Sequence, residues 1–187
     1  MSDAFRYEAY VIASADGMIA DANGHMPEAL VNRADQRFFN EALERAAVLV
    51  HGRNSHEGQA NSNRRRRVVV TSRTATVAAD PEHPHAVFWN PQGAPFSSAC
   101  AALGVDGGVA AILGGPEVYR LFLKLGYWGF HLSRATRLRV PGGLPVFGRD
   151  SLPVEAALSA AGLTAGPERW LDEKAAVSLS TWSRPAA

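Results

Sequence analysis

The chain contains a single cysteine, Cys100, which excludes an internal disulfide framework and leads us to expect a reducing, cytoplasmic setting. Cys100 lies in an alanine-rich segment and reads as a small core residue rather than a nucleophile. Long hydrophobic runs are also missing, since none approaches the roughly 18 apolar residues of a membrane span. The N-terminal Met1-Ser2-Asp3-Ala4 has no basic region followed by an apolar stretch, so no signal peptide is expected. Net charge is nearly absent, with 19 Lys and Arg against 18 Asp and Glu, or +1. No long-range field therefore argues for nucleic-acid or membrane binding. The histidines show no metal-ligand spacing. His83 and His85 fall in a proline-bearing stretch, and His51 and His56 are five apart, not the four that stack two ligands on one helix face. No internal repeat and no linker-like shift in composition divides the chain.

What is present is an ordinary globular composition, 187 residues with 47% hydrophobic and 20% charged. That length fits one domain able to bury about two-thirds of the surface its unfolded chain would expose. Phe5–Ala13, Ala47–Val50, Val68–Val70, Ala86–Trp89, Val109–Leu113 and Trp128–Arg134 read as strands. Helices are expected from Asn32, over Phe96–Leu103 and from Pro116 to about Leu125, where Gly126 serves as the stop. Thr74–His85 reads as loop and Pro141–Phe147 as a turn-rich connection. Glu168–Trp170 and Ala175–Trp182 read as a closing hairpin. The alternation followed by terminal strands predicts one α/β domain. Its central sheet is mixed and mostly parallel, flanked by helices, with antiparallel strands at the C-terminal end.

Four places carry candidate chemistry. In Ala111-Ile112-Leu113-Gly114-Gly115-Pro116-Glu117-Val118-Tyr119-Arg120 a buried strand meets two glycines, then a proline suited to a first helical turn. Glycines let a ligand approach the backbone, and free N–H groups at a helix start favour an anion, so this turn can face a phosphate or can merely connect elements. His51-Gly52-Arg53-Asn54-Ser55 offers a second glycine at a strand end with cation and hydroxyl. Thr71-Ser72-Arg73 ends a valine-rich strand, where ligands of α/β sheets sit, and hydroxyl plus guanidinium there suits a phosphate monoester. The run Arg64–Arg67 before that strand reads as a solvated loop that also protects a strand edge. The fourth place is Asp35, which heads an apolar stripe with Phe38, Phe39, Ala42, Leu43 and Ala46. A carboxyl against aromatic side chains should hold its proton more tightly and can donate it. Asp35 is also three residues beyond Asn32, where an acid serves a helix start, and both roles can coexist. Asp21–Pro27 reads as a loop, either a ligand-covering flap or a plain connection.

Ala13-Ser14-Ala15-Asp16-Gly17-Met18-Ile19-Ala20, Val50-His51-Gly52-Arg53, Val70-Thr71-Ser72-Arg73 and Leu113-Gly114-Gly115-Pro116-Glu117-Val118-Tyr119, in this order, resemble the dihydrofolate reductase superfamily. The nearer branch is the reductase domain of the riboflavin-biosynthesis deaminase–reductase and its stand-alone relatives. The resemblance runs from Phe5 to about Trp182. It implies a dihydrofolate reductase-like fold, an NADPH-dependent reductase, a small-molecule substrate and a homodimer. It implies that Gly52, Arg53 and Ser55 hold cofactor phosphates, that Ser72 and Arg73 meet the adenosine 2′-phosphate with Thr71 also cofactor-binding, and that Gly114, Gly115, Glu117, Val118 and Tyr119 carry the pyrophosphate and flank the nicotinamide. Asp16 and Ile19 take the place of flap residues, and Asp35 that of the acidic substrate-binding residue. The expected proton-handling carboxyls are Asp35 first, then Asp16 and Glu117. The chain departs from these patterns at Gly24-His25-Met26-Pro27, where dihydrofolate reductases have Trp before the proline. It departs again at Met18, where the riboflavin branch has Lys. Those departures motivate an alternative of another class, an NADPH-binding sensor without turnover. The zinc-binding deaminase motif has no counterpart in a chain with one cysteine.

Overall fold

The computed structural model describes residues 4–53 and 62–185. Its centre is β1 (Phe5–Ser14), hydrogen-bonded in parallel on both sides, to β7 (Gly108–Gly114) and β8 (Gly129–Ala135). Beyond β7 the sheet continues in parallel through β3 (Val48–Gly52), β4 (Arg67–Val70) and β6 (Ala86–Trp89). It ends on that side in β5 (Val77–Ala79), antiparallel to β6. Beyond β8 lies β12 (Val177–Ser183), antiparallel and paired in turn with β10 (Thr164–Ala165) and β11 (Arg169–Asp172). Among the described residues ten strands form this one sheet, and β2 (Met18–Ala20) with β9 (Leu144–Pro145) makes a separate small ribbon. The architecture is the expected one, a mostly parallel α/β sheet with antiparallel C-terminal strands.

Period-two alternation along β1 divides its side chains between the two faces. Ala9, Val11 and Ala13 join Val48, Val50, Val68 and Ile112 beneath α2 (Phe96–Ala102) and α3 (Pro116–Leu125). Phe122 is fully buried there, with its ring edge-on to Tyr7 at 4.9 Å and to Phe96 at 5.6 Å. Burying such a side chain contributes about 1.5–3 kcal/mol. Cys100 belongs to the same core, and burial pushes its thiol up to about 12. On the other face Tyr10, Leu49 and Ala111 pack against Ala42 and Leu43 of α1 (Arg33–Arg45). A fourth helix, α4 (Val154–Ala160), adds Ala157 and Leu158 to the larger core. No helix among the described residues is long and apolar enough to cross a membrane.

Three expectations change. Val77–Ala79, within the stretch read as loop, is a strand because β6 supplies a partner ladder for a segment too short to show a pattern. Leu144–Pro145, within the turn-rich connection, pairs with β2. The arginine run protects no edge, since β4 is interior, and Arg67 at its end is only 8% exposed.

Candidate functional site

The parallel order β7–β3–β4 brings three strand ends side by side. Gly114 stands opposite His51, and Gly52 opposite Val70, so the Gly114–Gly115 turn, the Gly52–Arg53 turn and Thr71-Ser72-Arg73 open at one edge of the sheet. Each pairing is tertiary, yet each turn is where its own sequence placed it. At Thr71 the buried hydroxyl accepts from the Arg73 N–H at 3.1 Å, which shapes the turn and leaves Ser72 and Arg73 exposed. Arg53 is exposed as well. Ser55 lies outside the described residues.

The Gly114–Gly115 peptide is cis, and Gly114 has φ +93°, a region that favours glycine. A Cβ on Gly114 would stand 2.5 Å from the Tyr119 ring, whereas one on Gly115 would meet nothing within 4 Å. Gly115 thus presents open backbone at the start of α3. Its N-cap, Gly115, offers no capping side chain, and Pro116 has no N–H to satisfy. This suits an anion. The side chains of the following residues turn elsewhere. Val118 is in the core, and Glu117 points outward to Arg120 at 2.5 Å. Tyr119 donates to the Tyr10 carbonyl at 3.2 Å, and burial, aided by the Asp35 charge, raises its hydroxyl far above the ordinary range.

Next to this turn is a cavity of about 250 Å³. Gly115 and Tyr119 form one wall, Asp35, Phe38 and Phe39 of α1 another, and Ile19 and Met26 approach from the β2 side. His131 and Ser133 of β8 complete it. Asp35 is there because α1 starts where it does. Asn32 caps the helix, its side-chain oxygen accepting from the N–H groups of Ala34 at 2.9 Å and Asp35 at 3.1 Å. The capping work falls to Asn32, which leaves the Asp35 carboxyl to the cavity. Burial raises that carboxyl above its ordinary value, and the Ser133 hydroxyl pulls in the opposite direction.

The other two carboxylates differ. Asp16 is not among the cavity-lining residues. It accepts from the Ser14 hydroxyl at 2.5 Å and the Val140 N–H at 3.0 Å, and those bonds hold it below the usual carboxylate range. It braces the β1–β2 turn. Glu117 is also absent from the lining, being 80% exposed and paired with Arg120. Of the three expected proton-handling carboxyls, the structure brings only Asp35 to the cavity.

Sequence reasoning did not single out His131, Ser133 or Tyr10. The ring of His131 stacks on that of Tyr10 at 4.7 Å, its Nδ1 is 3.0 Å from the Thr181 hydroxyl, and its Nε2 is 3.5 Å from Glu8. Tyr10 in turn donates to Glu8 at 2.7 Å. The bond from His131, more than that from Tyr10, holds the Glu8 carboxyl low against the effect of burial. The available signal was alternation, since Glu8 and Tyr10 on β1, and His131 and Ser133 on β8, put polar groups on one face of otherwise apolar strands. A larger groove of about 890 Å³ lies on the α2–α3 face, but it is mostly apolar and, among the described residues, Asp106 is the only charged one lining it. The smaller cavity, where a raised carboxyl meets the glycine turn, is the candidate site. Among the described residues no group of three or more His, Cys, Asp or Glu is placed to hold a metal ion.

No protein-family model matches this sequence, and no curated protein matches it in sequence. Solved structures do match in shape. A dihydrofolate reductase from Enterococcus faecalis, complexed with NADP(H) and RAB-propyl, aligns with TM-score 0.64 at 19% identity, covering 97% of each chain. The chain has the dihydrofolate reductase fold. A diaminohydroxyphosphoribosylaminopyrimidine deaminase/5-amino-6-(5-phosphoribosylamino)uracil reductase from Thermotoga maritima aligns with TM-score 0.65 at 14% identity over 96% of this chain. There the present chain spans only 56% of the longer protein. A pyrimidine reductase-like protein from Corynebacterium diphtheriae aligns with TM-score 0.64 at 15% identity, over 97% of this chain and 92% of that one. In the dihydrofolate reductase-like frame of this chain, the glycine turn and Asp35 face each other across one cavity.

Proposed function

We propose that the protein is an NADPH-dependent reductase that delivers hydride to a small heterocyclic or sugar-like substrate, in the manner of a 5-amino-6-(5-phosphoribosylamino)uracil reductase. One observation carries this reading: the uncapped Gly115 turn and the raised Asp35 carboxyl line the same cavity, while Arg53, Ser72 and Arg73 stand exposed at the two neighbouring strand ends. The fit to a phosphorylated dinucleotide rests on the open backbone at Gly115 and on these exposed cations. The backbone of Gly115 and Glu117 would hold the pyrophosphate and Ser72 with Arg73 the 2′-phosphate, with Arg53 adding charge. When bound, NADPH supplies the hydride. The chain's own part is to orient the two reactants within the aromatic walls of Phe38, Phe39, Tyr10 and Tyr119 and to provide a proton from Asp35. Ser133, at the carboxyl, steadies its ionised form between proton transfers. The same reading includes a cytoplasmic homodimer, to be checked by sedimentation.

Arg73→Ala tests the cofactor half. Losing a charged hydrogen bond costs about 1.5–3 kcal/mol, which is roughly a 10- to 150-fold weaker Kd for NADPH. NADH binding should be unchanged. Equal losses for both cofactors, or none for either, would remove the 2′-phosphate assignment. NADPH oxidation screened against pterins, pyrimidines and simple carbonyls tests the chemical half. Tight binding without turnover on any of them favours the sensor reading, which the Met18 and Gly24–Pro27 departures motivate.

A further inference from the structure

The arginine run remains unexplained by this site. Arg64, Arg65 and Arg66 form one side of a separate cleft of about 400 Å³, within the roughly 300–1,000 Å³ range of small-molecule sites. Its other walls are His85 and the apolar Leu43, Ala46 and Leu49. Among the described residues it shares none with the candidate active site. It opens where β3, β4 and β6 begin, at the sheet edge opposite the glycine turns. The four- and five-residue strands β4 and β3 put roughly 13–17 Å between the two edges.

Among the described residues lining the cleft, cationic side chains outnumber anionic ones. Three guanidinium groups line the cleft against one carboxylate, Glu44, and Glu44 is already bound to Arg65 at 2.5 Å. Arg64 and Arg66 are exposed and make no ion pair among the described residues. Beside the cleft floor is a second, independent feature. Arg67 is the register partner of Leu49, so both side chains leave the same face of the sheet. Arg67 is 92% buried, and its Nε and Nη2 have no hydrogen-bond partner among the described residues. A buried guanidinium left unpaired is costly, and an anion held nearby lowers that cost. Solvated surface arginines alone would not produce such a buried charge beside a walled cleft.

We propose that this cleft binds a small organic phosphate, with its phosphate between Arg64, Arg66 and His85 and its apolar body against Leu43, Ala46 and Leu49. The site is separate from the cofactor site, at the far end of the same strands. Phenyl phosphate and inorganic phosphate, titrated by calorimetry into protein saturated with NADPH, are the probes. Phenyl phosphate should bind more tightly than inorganic phosphate, and equal affinities would overturn the organic assignment. Arg64→Ala with Arg66→Ala should weaken phenyl phosphate at least tenfold, while Arg73→Ala should leave it unchanged. Loss on Arg73→Ala alone would place the phosphate at the nucleotide edge and overturn the proposal, as would no binding at all. If the double variant proves unfolded by circular dichroism, Arg66→Gln with His85→Gln carries the same expectation. The His85 ring resonances of the parent protein should move on titration, and unmoved resonances would refute the site whatever the affinity.

Discussion

Gly114→Ala and Gly115→Ala should behave oppositely, although the residues are adjacent. At Gly114 an added Cβ would lie 2.5, 2.7 and 2.9 Å from Cε2, Cζ and the hydroxyl oxygen of Tyr119. Tyr119 cannot simply swing away, since it is 5% exposed, near the Phe130 ring at 6.2 Å and bonded to the Tyr10 carbonyl. Forcing it to shift costs about 1–3 kcal/mol as overpacking. The positive φ adds about 1–2 kcal/mol for a residue with a Cβ. Together these predict a loss of about 2–5 kcal/mol, a large part of the 5–15 kcal/mol that typically holds a domain folded. At Gly115, φ is −65° in extended backbone, and the new methyl meets open space, so stability should change by less than about 1 kcal/mol in either direction. That methyl would stand where the cofactor backbone contact is proposed, so NADPH affinity should fall at least tenfold in Gly115→Ala while the fold is kept. Urea unfolding gives the first quantity and calorimetric titration the second. The packing argument fails if Gly114→Ala is as stable as the parent, and the cofactor argument fails if Gly115→Ala binds NADPH normally.

The Asp35 carboxyl is raised by burial, so its contribution to stability is present below its unfolded value of 3.8 and lost as pH rises through the higher native value. Asp35→Asn should therefore be more stable than the parent at neutral pH, by about 1.4 kcal/mol per unit of native displacement, with the difference vanishing in acid. A pH series of unfolding midpoints that run parallel would refute the raised carboxyl. Asn32→Ala removes the cap of α1 and its bond to Asp172 at 3.0 Å, and should cost about 1 kcal/mol in urea unfolding. Cys100 is fully buried with its thiol pushed up to about 12, so a thiol reagent should react only at the rate of unfolding. Rapid native-state labelling would contradict its placement.

Much of the fold was legible because its longer elements carry their own period. The stripe from Asp35 to Ala46 needs no neighbour to be recognised, and the Asn32 cap and the Gly-Gly-Pro turn are set by local backbone chemistry. What could not be read was pairing. Nothing local says that β12 lies against β8, or that three residues at Val77 find a ladder on β6, because those strands gain stability only from their partners. The same limit hid Arg67, where four identical side chains in sequence end in different environments according to where β4 begins. In the candidate site the turns were visible and the facing strand residues were not. His131 and Ser133 acquire their cavity role only when β8 is laid beside β1 with α1 above it.

The three candidate carboxylates show how environment, rather than residue type, assigns a proton-handling role. Asp16 accepts two strong hydrogen bonds that favour its charged form, so at neutral pH it has no proton to give. Glu117 faces water and Arg120, away from the cavity. Asp35 alone is set where charge is disfavoured, one wall away from the glycine turn, with a hydroxyl able to stabilise the anion once the proton has left. A group that must hold its proton more tightly than a free carboxyl and still release it needs burial and a compensating donor together. That requirement also makes Ser133 testable apart from any substrate. Ser133→Ala removes the opposing influence and should raise the Asp35 pKa further, as followed by the carboxyl carbon resonance. An unchanged titration would mean that burial alone governs the group.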